Sequence, residues 1–341
     1  MMIFRLLLLC LLSTLSANAT AAVLHVGPGS VYSVPSQAAN VAKDGDIITI
    51  QAGSYKDCAV WKANKLIIRG IGGMPIVKDK MCHGKAIWVV TGDHIIVDTI
   101  AFSGMKVRDR NGAGVRIEGR DLTIRNALFQ DGESGVLGGG QRPDDHIVIE
   151  NSRFVRLGRN GQAHPIYINH ASMFTLSNSI VQDCLNEANC VKSRAHQNII
   201  VNNVIDSRLG DSSWEIDIPN GGKTEIEGNL IIQSEKSVNR GLLGYAMEYT
   251  PADRNHTLII RNNLFINDQS KGRFIDINRH LKPTITAHNN GFVGPGRISE
   301  KVPAQTDNDF FNSRAETVKF LNINRTDPRA KWREYLLGIS K

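Results

Sequence analysis

The sequence has few aromatic residues and no dense run of basic ones. Phe, Trp and Tyr make up 6% of its 341 residues, so stacking platforms for neutral sugars, as in cellulose or chitin, are sparse. Lys and Arg do not form runs interleaved with aromatic residues, which argues against a nucleic-acid partner. The formal net charge of +7 instead favours an acidic polysaccharide, bound through charge, as the polymer partner.

Signatures of several common enzyme classes are also missing. No His and Cys residues have zinc-ligand spacing, no GxSxG nucleophile motif occurs, and no GxxxxGK[ST] phosphate loop is present. The glycine run from Gly138 to Gly140 either forms a turn or leaves room for a polymer chain across a sheet. We therefore predict that the protein has no cofactor and no transition-metal site.

The first residues, MMIFRLLLLCLLSTLSANATAA, have the pattern of an export signal. Arg5 precedes an apolar segment, Leu6 to Leu15, that is too short to span a bilayer, and Ala17-Asn18-Ala19 fits a cleavage site. We predict that residues 1–21 are a cleaved signal peptide, that the protein is secreted or periplasmic, and that it has no membrane span.

Four cysteines follow this segment, namely Cys58, Cys82, Cys184 and Cys190. An even number in an exported protein is typical of two disulfides. Cys184 and Cys190 lie six residues apart across one polar turn and form a natural local pair, which leaves Cys58 to pair with Cys82. Free buried thiols are the alternative for either pair.

A short phrase recurs along the chain, each time with β-branched residues around one asparagine or its equivalent. Its copies are LTIRNALFQD, IVIENSRFVR, FTLSNSIVQD, NIIVNNVIDS, TEIEGNLIIQ, LIIRNNLFIN and ITAHNNGFVG. They align Asn126, Asn151, Asn178, Asn202, Gly228, Asn262 and Asn289, and Thr99 and Gly70 extend the series upstream. We predict that these residues adopt left-handed backbone at a bend and that their side chains stack into a ladder.

Two-residue alternation of apolar side chains at this spacing predicts stacked parallel strands about 4.8 Å apart. We predict an all-β fold with a single right-handed parallel β-helix solenoid over residues 22–298. A short helix in VYSVPSQAANVAKDGDIITIQAGSY would cap its start. Residues 299–341 would form a partly helical C-terminal capping tail. The phrases and this cap resemble the pectin-lyase-like superfamily, whose fold is the right-handed parallel β-helix.

A strand precedes each phrase, and alternation predicts which of its side chains face outward. The outward residues are Arg116, Tyr167, Asn169, Lys192, Arg194, Glu215, Asp217 and Asp276. Stacked coils would place Tyr167, Lys192 and Glu215 in one column. They would place Asn169, Arg194 and Asp217 in a second column, with His170 just beyond its strand. Ion pairs that only stabilise the solenoid surface are the alternative interpretation.

The columns suggest a lyase that cleaves a uronic-acid polymer by β-elimination. Arg194 would bind the substrate carboxylate and Lys192 would be the base, because burial and a second cation favour a neutral lysine. Tyr167 or His170 would protonate the leaving oxygen. The substrate-binding candidates are Asn169, Glu215, Asp217, Arg116, Asp276 and Asn220 of the IPNGG segment. His164 fits a structural role as well as a catalytic one.

The stretch VKSRAHQNIIVNN, from Val191, resembles the lysine-bearing coil of the alginate lyase and chondroitinase B type of polysaccharide lyase. This resemblance implies that Lys192 is the base. The next coil, which would carry the family's catalytic arginine, reads IPNGG here, so Arg194 would take that role from another position.

Other functions remain open. A uronan C5-epimerase shares the proton abstraction, but the Asp-Pro-His signature of mannuronan epimerases is absent. The Asp-Asp and Gly-His-Gly signatures of a polygalacturonase-type hydrolase are also missing. Asp144-Asp145 is in the wrong place for the first signature, because it lies in a turn after Pro143. A non-catalytic glycan-binding or exopolysaccharide assembly protein needs only the charged face. Ca²⁺ would suit the oxygens of Glu215 and Asp217, but we favour ion pairs with Lys192 and Arg194.

Overall fold

The chain winds through about ten turns of a parallel β-helix, and most turns contribute one strand to each of three sheets. The computed structural model describes residues 21–139, 144–248, 254–303 and 307–339. Neighbouring strands within each sheet run parallel. The predicted all-β solenoid is confirmed, whereas the predicted signal peptide and Gly140 lie outside the described residues, apart from Ala21.

We call the sheets A, B and C in the order in which the chain visits them within a turn. Sheet A contains β1 Val23–Val26, β2 Ile47–Gln51, β5 Ile67–Ile71, β8 Ile95–Asp98, β11 Leu122–Arg125, β14 His146–Glu150, β17 Met173–Ser177, β20 Gln197–Val201, β23 Lys223–Glu227, β26 Thr257–Arg261 and β29 Thr284–His288. Sheet B contains β3 Ser54–Tyr55, β6 Ile76–Lys78, β9 Ala101–Ser103, β12 Leu128–Gly132, β15 Arg153–Leu157, β18 Ile180–Cys184, β21 Val204–Asp206, β24 Leu230–Gln233, β27 Leu264–Asn267, β30 Gly291–Val293 and β32 Asp309–Phe311. Sheet C contains β4 Ala59–Trp61, β7 Ala86–Val90, β10 Ala113–Ile117, β13 Ser134–Gly138, β16 Ile166–Ile168, β19 Val191–Ser193, β22 Ile216–Ile218, β25 Gly241–Tyr245, β28 Arg273–Ile277 and β31 Arg297–Ile298.

The core is a continuous apolar column inside the solenoid. Alternate residues of each strand point inward, as the buried Ile166 and Ile168 of β16 show. Aromatic rings from successive turns stack within it, and the centroids of Phe102, Phe129 and Phe154 are 5.0 and 4.7 Å apart. Because buried side chains of successive turns are in contact, a substitution in one turn changes the packing of the adjacent turns.

The bend between sheets A and B has left-handed backbone, as predicted. Thr99, Asn126, Asn151, Asn178, Asn202, Asn262 and Asn289 have φ between 49° and 59°, and Gly228 has φ of 64°. Asparagine adopts this conformation more readily than most residues, which explains why it recurs there. Gly70 differs, because it has no positive φ, and a Cβ there would collide with the carbonyl oxygen of Thr99.

The stacked asparagine ladder is formed, from Asn203 onward, by the residue after the bend, one position later than predicted. Of the bend asparagines, Asn289 donates to Oδ1 of Asn262 at 2.6 Å. Asn203, Asn229, Asn263 and Asn290 are fully buried, and each side chain donates to the next Oδ1 at 3.0 Å, ending at Asn308. The left-handed residue turns the chain so that the following side chain points into the solenoid. The bend asparagines themselves lie at the outer edge.

The predicted N-terminal cap is present as α1, Pro35–Val41, which buries Ala38 and Ala39 in the core. In the sequence this helix lies between β1 and β2, two strands of sheet A that pair with each other. The sequence patterns did not indicate β1. The helix and this strand cover the first turn of the solenoid.

The tail is partly helical, as predicted, and its helices pack on the outside of the solenoid. The helices are α2 Arg314–Ile323, a 3-10 helix Pro328–Trp332, and α3 Arg333–Ile339. Leu321 and Leu336 pack on the outer face of sheet B, against residues such as Leu230 and Leu264. Val302 instead joins the main core.

Both predicted disulfides, Cys58–Cys82 and Cys184–Cys190, are confirmed. The second closes the turn that leads from β18 into β19. Among the residues described, no helix is both long and apolar enough to cross a membrane.

Candidate functional site

Sheet C carries five of the predicted site residues in one column, and we refer to it as the site sheet. In its register Tyr167 pairs with Lys192, and Lys192 pairs with Asp217. The same column, read along the solenoid, is Arg116, Leu137, Tyr167, Lys192, Asp217, Gly244 and Asp276. Five polar residues from distant parts of the sequence therefore lie in one line.

Lys192 lies in the middle of this column with only 13% of its side chain exposed. Its Nζ is 3.4 Å from Oδ2 of Asp217 and 3.2 Å from Oε1 of Glu248. It also lies 5.6 Å from the centroid of the Tyr167 ring. The ammonium group thus has two carboxylates and an aromatic face around it.

Arg194 leaves β19 on the same side, two residues further on. Its Nε donates to Oη of Tyr167 at 3.0 Å, its Nη1 to Oδ1 of Asn220 at 2.6 Å, and its Nη2 to Oε2 of Glu248 at 2.5 Å. Tyr167 in turn donates to Oδ1 of Asn169 at 3.2 Å. These contacts hold the guanidinium plane and the phenol oxygen in fixed positions beside Lys192.

Asp217 is almost fully buried beneath Lys192. Burial raises its pKa to about 6, although Lys192 partly opposes that rise. Its Oδ2 accepts a hydrogen bond from Nδ2 of Asn189 at 2.7 Å. The carboxylate is therefore fixed from below by an amide and from above by a cation.

His164 has a structural role beneath the site. Burial and the positive charges of Lys192 and Arg194 lower its pKa to about 3, so its imidazole is neutral. Its Nδ1 accepts a hydrogen bond from the backbone N–H of Asn189 at 3.0 Å, and its ring meets Tyr167 edge-on. His164 thereby supports both the aromatic ring and the residue that orients Asp217.

The prediction that Glu215 faces outward beside Lys192 is wrong. Its side chain is fully buried, and Oε1 accepts hydrogen bonds from Ser207 and Ser212 at 2.7 and 2.8 Å. Burial raises its pKa to about 8. Glu215 precedes β22, which begins at Ile216, so strand alternation does not extend to it. Asp217 occupies the place expected for Glu215.

The second predicted column is likewise incorrect, because Asp217 lies below Lys192 rather than beside Arg194. The two carboxylates proposed for Ca²⁺ also bind different partners: Asp217 binds Lys192 and Asn189, whereas Glu215 binds buried hydroxyls. Their arrangement does not fit a shared cation. The described part of the chain holds no group of three or more His, Cys, Asp or Glu side chains suited to a metal ion.

The other predicted site residues lie around this centre. Arg116 is half-buried in the column, two rungs from Tyr167. Asp276 is three rungs from Lys192 and pairs with Arg273 at 2.8 Å. His170 lies beyond β16, where burial and the charges of Arg194 and Arg254 lower its pKa.

Two depressions lie on the site sheet beside the Tyr167–Lys192 pair, one lined by Lys192 and the other by Tyr167. One, of 290 Å³, has Lys192, Asp217 and Glu248 among its charged lining, and it also has apolar lining from Trp214, Val238 and Met247. The other, of 520 Å³, is lined by Arg116, Tyr167 and Asn169, with Gly138 and Gly139. We refer to these two depressions together as the groove of the site sheet.

Glycines shape the floor of this groove. A Cβ on Gly138 or Gly139 would collide with the carbonyl oxygen of Ile117 or His170, respectively, so these two glycines are required for close packing of adjacent turns. Gly244 lies in the column between Asp217 and Asp276, and a Cβ there would be 3.2 Å from the ring of Trp214. The missing side chain leaves space for the indole over β25.

Sequence reasoning missed four residues of the site, namely Glu248, Asn189, Trp214 and Arg254. Glu248 is 56 residues from Lys192 and follows a strand, so no periodicity pointed to it. Asn189 directly precedes Cys190, a predicted disulfide residue. That position was the one signal in the sequence for any of the four. Arg254 donates to the backbone carbonyl oxygens of Arg194 and Ala195 at 2.9 and 3.0 Å, which fixes the end of the site strand.

No family model matches the sequence, and the comparison with curated proteins gave no match. Among solved structures, the chain is similar to the pectate lyase Pel9A, with a TM-score of 0.57 and 12% identity over 85% of this chain and 80% of that one. It is similar to an alginate lyase from Paenibacillus sp. str. FPU-7, with a TM-score of 0.59 and 14% identity over 86% of this chain and 98% of that one.

A third similar structure is the PL6 family alginate lyase AlyGC, with a TM-score of 0.52 and 12% identity. The match covers 82% of this chain but only 40% of that one. Identities at this level show a shared fold, and they confirm that the chain has the parallel β-helix of these lyases.

Proposed function

We propose that this chain is an exported carbohydrate-active protein that cleaves a uronic-acid polysaccharide by β-elimination. The observation that carries the proposal is the convergence of Lys192, Arg194 and the Tyr167 hydroxyl beside the two depressions of the site sheet. Elimination needs a cation, a base and a proton donor together, and these three side chains supply one each.

Arg194 binds the substrate carboxylate. Its Nη2 now holds the carboxylate of Glu248, which shows that a carboxylate fits there. A uronate that displaces Glu248 would receive the same charge-assisted hydrogen bond. Neutralising the carboxylate makes the adjacent C5 proton more acidic, because negative charge that develops at C5 can spread into the carboxyl group.

Lys192 removes the C5 proton and Tyr167 completes the reaction. The C5–H electron pair forms the C4–C5 double bond, and the C4–O bond breaks. The Tyr167 hydroxyl gives its proton to the leaving oxygen, and solvent restores both residues.

The lining of the groove suits a sugar chain. Trp214, Val238 and Met247 present apolar surface opposite the charged residues of the smaller depression. A pyranose ring has apolar C–H faces and a polar edge, so it can contact both kinds of lining at once. The three similar structures are lyases of pectate or alginate, which supports a polyuronate as substrate.

Two features support export from the cytoplasm. The leader sequence fits a signal peptide, and two disulfides are stable in an oxidising compartment. The secreted or periplasmic location follows from this proposal.

A non-catalytic glycan-binding protein is the second candidate. It is favoured by one observation: Lys192 and Arg194 are both already paired with carboxylates, as they would be on a charge-matching surface. A C5-epimerase would use the same proton abstraction and is distinguished by its product, which keeps its chain length.

The test is the ultraviolet absorbance of the conjugated unsaturated uronate, followed on alginate, pectate, glucuronan and hyaluronan. We expect the mature protein to produce this absorbance on at least one polymer, and Lys192→Ala and Tyr167→Phe to abolish it. Tyr167→Phe keeps every charge, so its loss of activity is separable from unfolding. Lys223→Ala is the matched control, because Lys223 is an exposed lysine on sheet A and not on the site sheet.

A flat trace on every polymer would contradict the lyase proposal. Binding without absorbance would then support the second candidate. Inversion at C5 without chain cleavage, measured by proton NMR, would support the epimerase.

A further inference from the structure

A basic depression lies where the last three strands of the site sheet, β25, β28 and β31, begin. It has a volume of 490 Å³ and is lined by Arg240, Lys271, Arg273 and Arg297, with two glycines and a proline. A neighbouring depression of 480 Å³ shares Arg273 and Arg297. Four cations thus surround one concave surface whose remaining lining carries no charge.

The strand register places these cations close together. Arg273 and Arg297 are directly opposed partners in β28 and β31. The carbonyl oxygen of Arg240 accepts a hydrogen bond from the backbone N–H of Arg273 at 2.7 Å. Like charges opposed across strands destabilise a sheet, so the fold itself gains nothing from this arrangement.

Little negative charge compensates these cations. In the described residues only Arg273 of the four pairs with a carboxylate, that of Asp276 at 2.8 Å. Arg240, Lys271 and Arg297 are exposed. By contrast, Lys192 and Arg194 in the candidate site are both paired with acids. Within the part of the chain that the structure describes, Arg240, Lys271 and Arg297 therefore carry positive charge without a paired carboxylate, unlike Lys192 and Arg194.

The depression lies close to the candidate site along the same sheet. Val238 lines the smaller depression at Lys192, and Arg240, two residues later, lines the basic one. Strand β28 carries both Arg273 of the basic depression and Asp276 of the column. The column runs from Lys192 through Asp217 and Gly244 to Asp276, which is three rungs, or about 14 Å at the spacing of parallel strands. A short stretch of a sugar chain could span that distance on the outer face of one sheet. The ring of Trp214 lies over β25 between the two positions.

We propose that this depression is a second anion-binding site that holds acidic groups of the polysaccharide at some distance from the bond that is cleaved. Its ligand is the carboxylate or sulfate group of a polyanionic sugar chain, bound by Lys271, Arg297 and Arg240. The identity of the polymer rests on the proposed function, whereas the anion binding does not. The basic depression contributes binding affinity, and the ion-paired residues around Lys192 carry out the elimination.

The experiment measures binding in the Lys192→Ala background, which prevents turnover. Affinities for polygalacturonate, dextran sulfate and neutral dextran are compared by calorimetry at several salt concentrations. We expect Lys271→Ala combined with Arg297→Ala to weaken binding of the polyanions about tenfold and to reduce its salt dependence. Preference for polygalacturonate or dextran sulfate identifies the anionic group, and neutral dextran should not bind.

The matched control combines Lys223→Ala with Arg69→Ala, two exposed cations of sheet A. Unchanged affinity in the Lys271/Arg297 variant, or an equal loss in the control, would overturn the inference. Equally tight binding of duplex DNA would also overturn it, since the ligand class would then be wrong. Absence of elimination activity in the protein that retains Lys192, with anion binding intact, would contradict the proposed function alone.

Discussion

The carboxylate of Glu248 accepts a hydrogen bond from Nη2 of Arg194 at 2.5 Å. Its other oxygen lies 3.2 Å from Nζ of Lys192. One carboxylate therefore spans both cations at the point where we propose that the substrate carboxylate binds. Glu248 is 47% exposed, so a ligand can reach and replace it. The protein's own acid would compete with an acidic substrate for the same two cations.

We predict that Glu248→Gln binds polyuronate more tightly. Exposed ion pairs contribute about 0.2–1 kcal/mol, so removing the competitor should improve the dissociation constant by up to about fivefold. Calorimetry with short oligouronates measures this change. Glu225→Gln is the matched control, because Glu225 pairs with Arg261 at 2.5 Å on sheet A. Weaker binding in Glu248→Gln would mean that Glu248 contacts the substrate favourably.

The buried asparagine ladder should matter more to stability than the bend asparagines. Asn229 accepts hydrogen bonds from Asn203 and donates to Asn263 and to the carbonyl oxygen of Ile200. Asn229→Ala leaves several buried groups without partners and should lower the free energy of unfolding by about 3 kcal/mol. Denaturant titration measures the loss.

The control for this prediction is the exposed bend residue Asn178, whose φ is 49°. Asn178→Ala should cost about 1 kcal/mol, since only the left-handed backbone is penalised, and Asn178→Gly should cost less. A larger effect at Asn178 than at Asn229 would show that the ladder side chains are not the main stabilising contacts.

The fold and half of the site could be predicted because both follow from periodicity. Asparagine at regular intervals located the left-handed bends, and two-residue alternation correctly turned Tyr167, Lys192 and Arg194 outward. The ladder was misplaced by one residue because sequence shows which residue recurs but not where its neighbour's side chain points. That direction is fixed by the positive φ at the bend.

The remaining errors occur where strands end. Glu215 was placed outward by extending the alternation of β22 one residue beyond its start, into a segment that is not a strand. Glu248 follows a strand and returns to Lys192 from a distant coil, and a single sequence carries no signal for such a contact. The lengths of the turns, which vary between coils, determine both where the Glu215 side chain points and how Glu248 reaches Lys192.

Glu215 should make stability depend on pH. Its folded pKa is about 8 because the carboxyl is buried, and its reference value is 4.5. The folded state therefore holds a proton that the unfolded state has lost between these values. The contribution of Glu215 to the free energy of unfolding should be greatest below pH 4.5 and should fall as the pH rises to about 8.

Glu215→Gln removes this ionisation while keeping an oxygen that can accept from Ser207 and Ser212. We expect the decline in unfolding free energy between pH 4.5 and 8 to become shallower in this variant. The slope due to Asp217, between its reference value of 3.8 and about 6, should remain. Identical pH profiles for the two proteins would show that Glu215 ionises equally in both states.

The two disulfides should differ in what they support. Loop-closure entropy predicts that Cys58→Ala/Cys82→Ala costs about 3 kcal/mol and that the shorter Cys184→Ala/Cys190→Ala loop costs about 2 kcal/mol. Only the shorter loop contains Asn189, whose amide holds Asp217 at 2.7 Å. Cys190 also directly precedes the strand that carries Lys192.

We therefore expect Cys184→Ala/Cys190→Ala to reduce polyuronate binding and elimination at temperatures where it remains folded. Cys58→Ala/Cys82→Ala should leave both unchanged despite its larger loss of stability, because that bridge lies four rungs from Lys192 along the site sheet. Circular dichroism establishes the folded range, and activity is compared within it. If both variants lose activity in proportion to stability, the Cys184–Cys190 bridge supports the fold and not the position of Asn189.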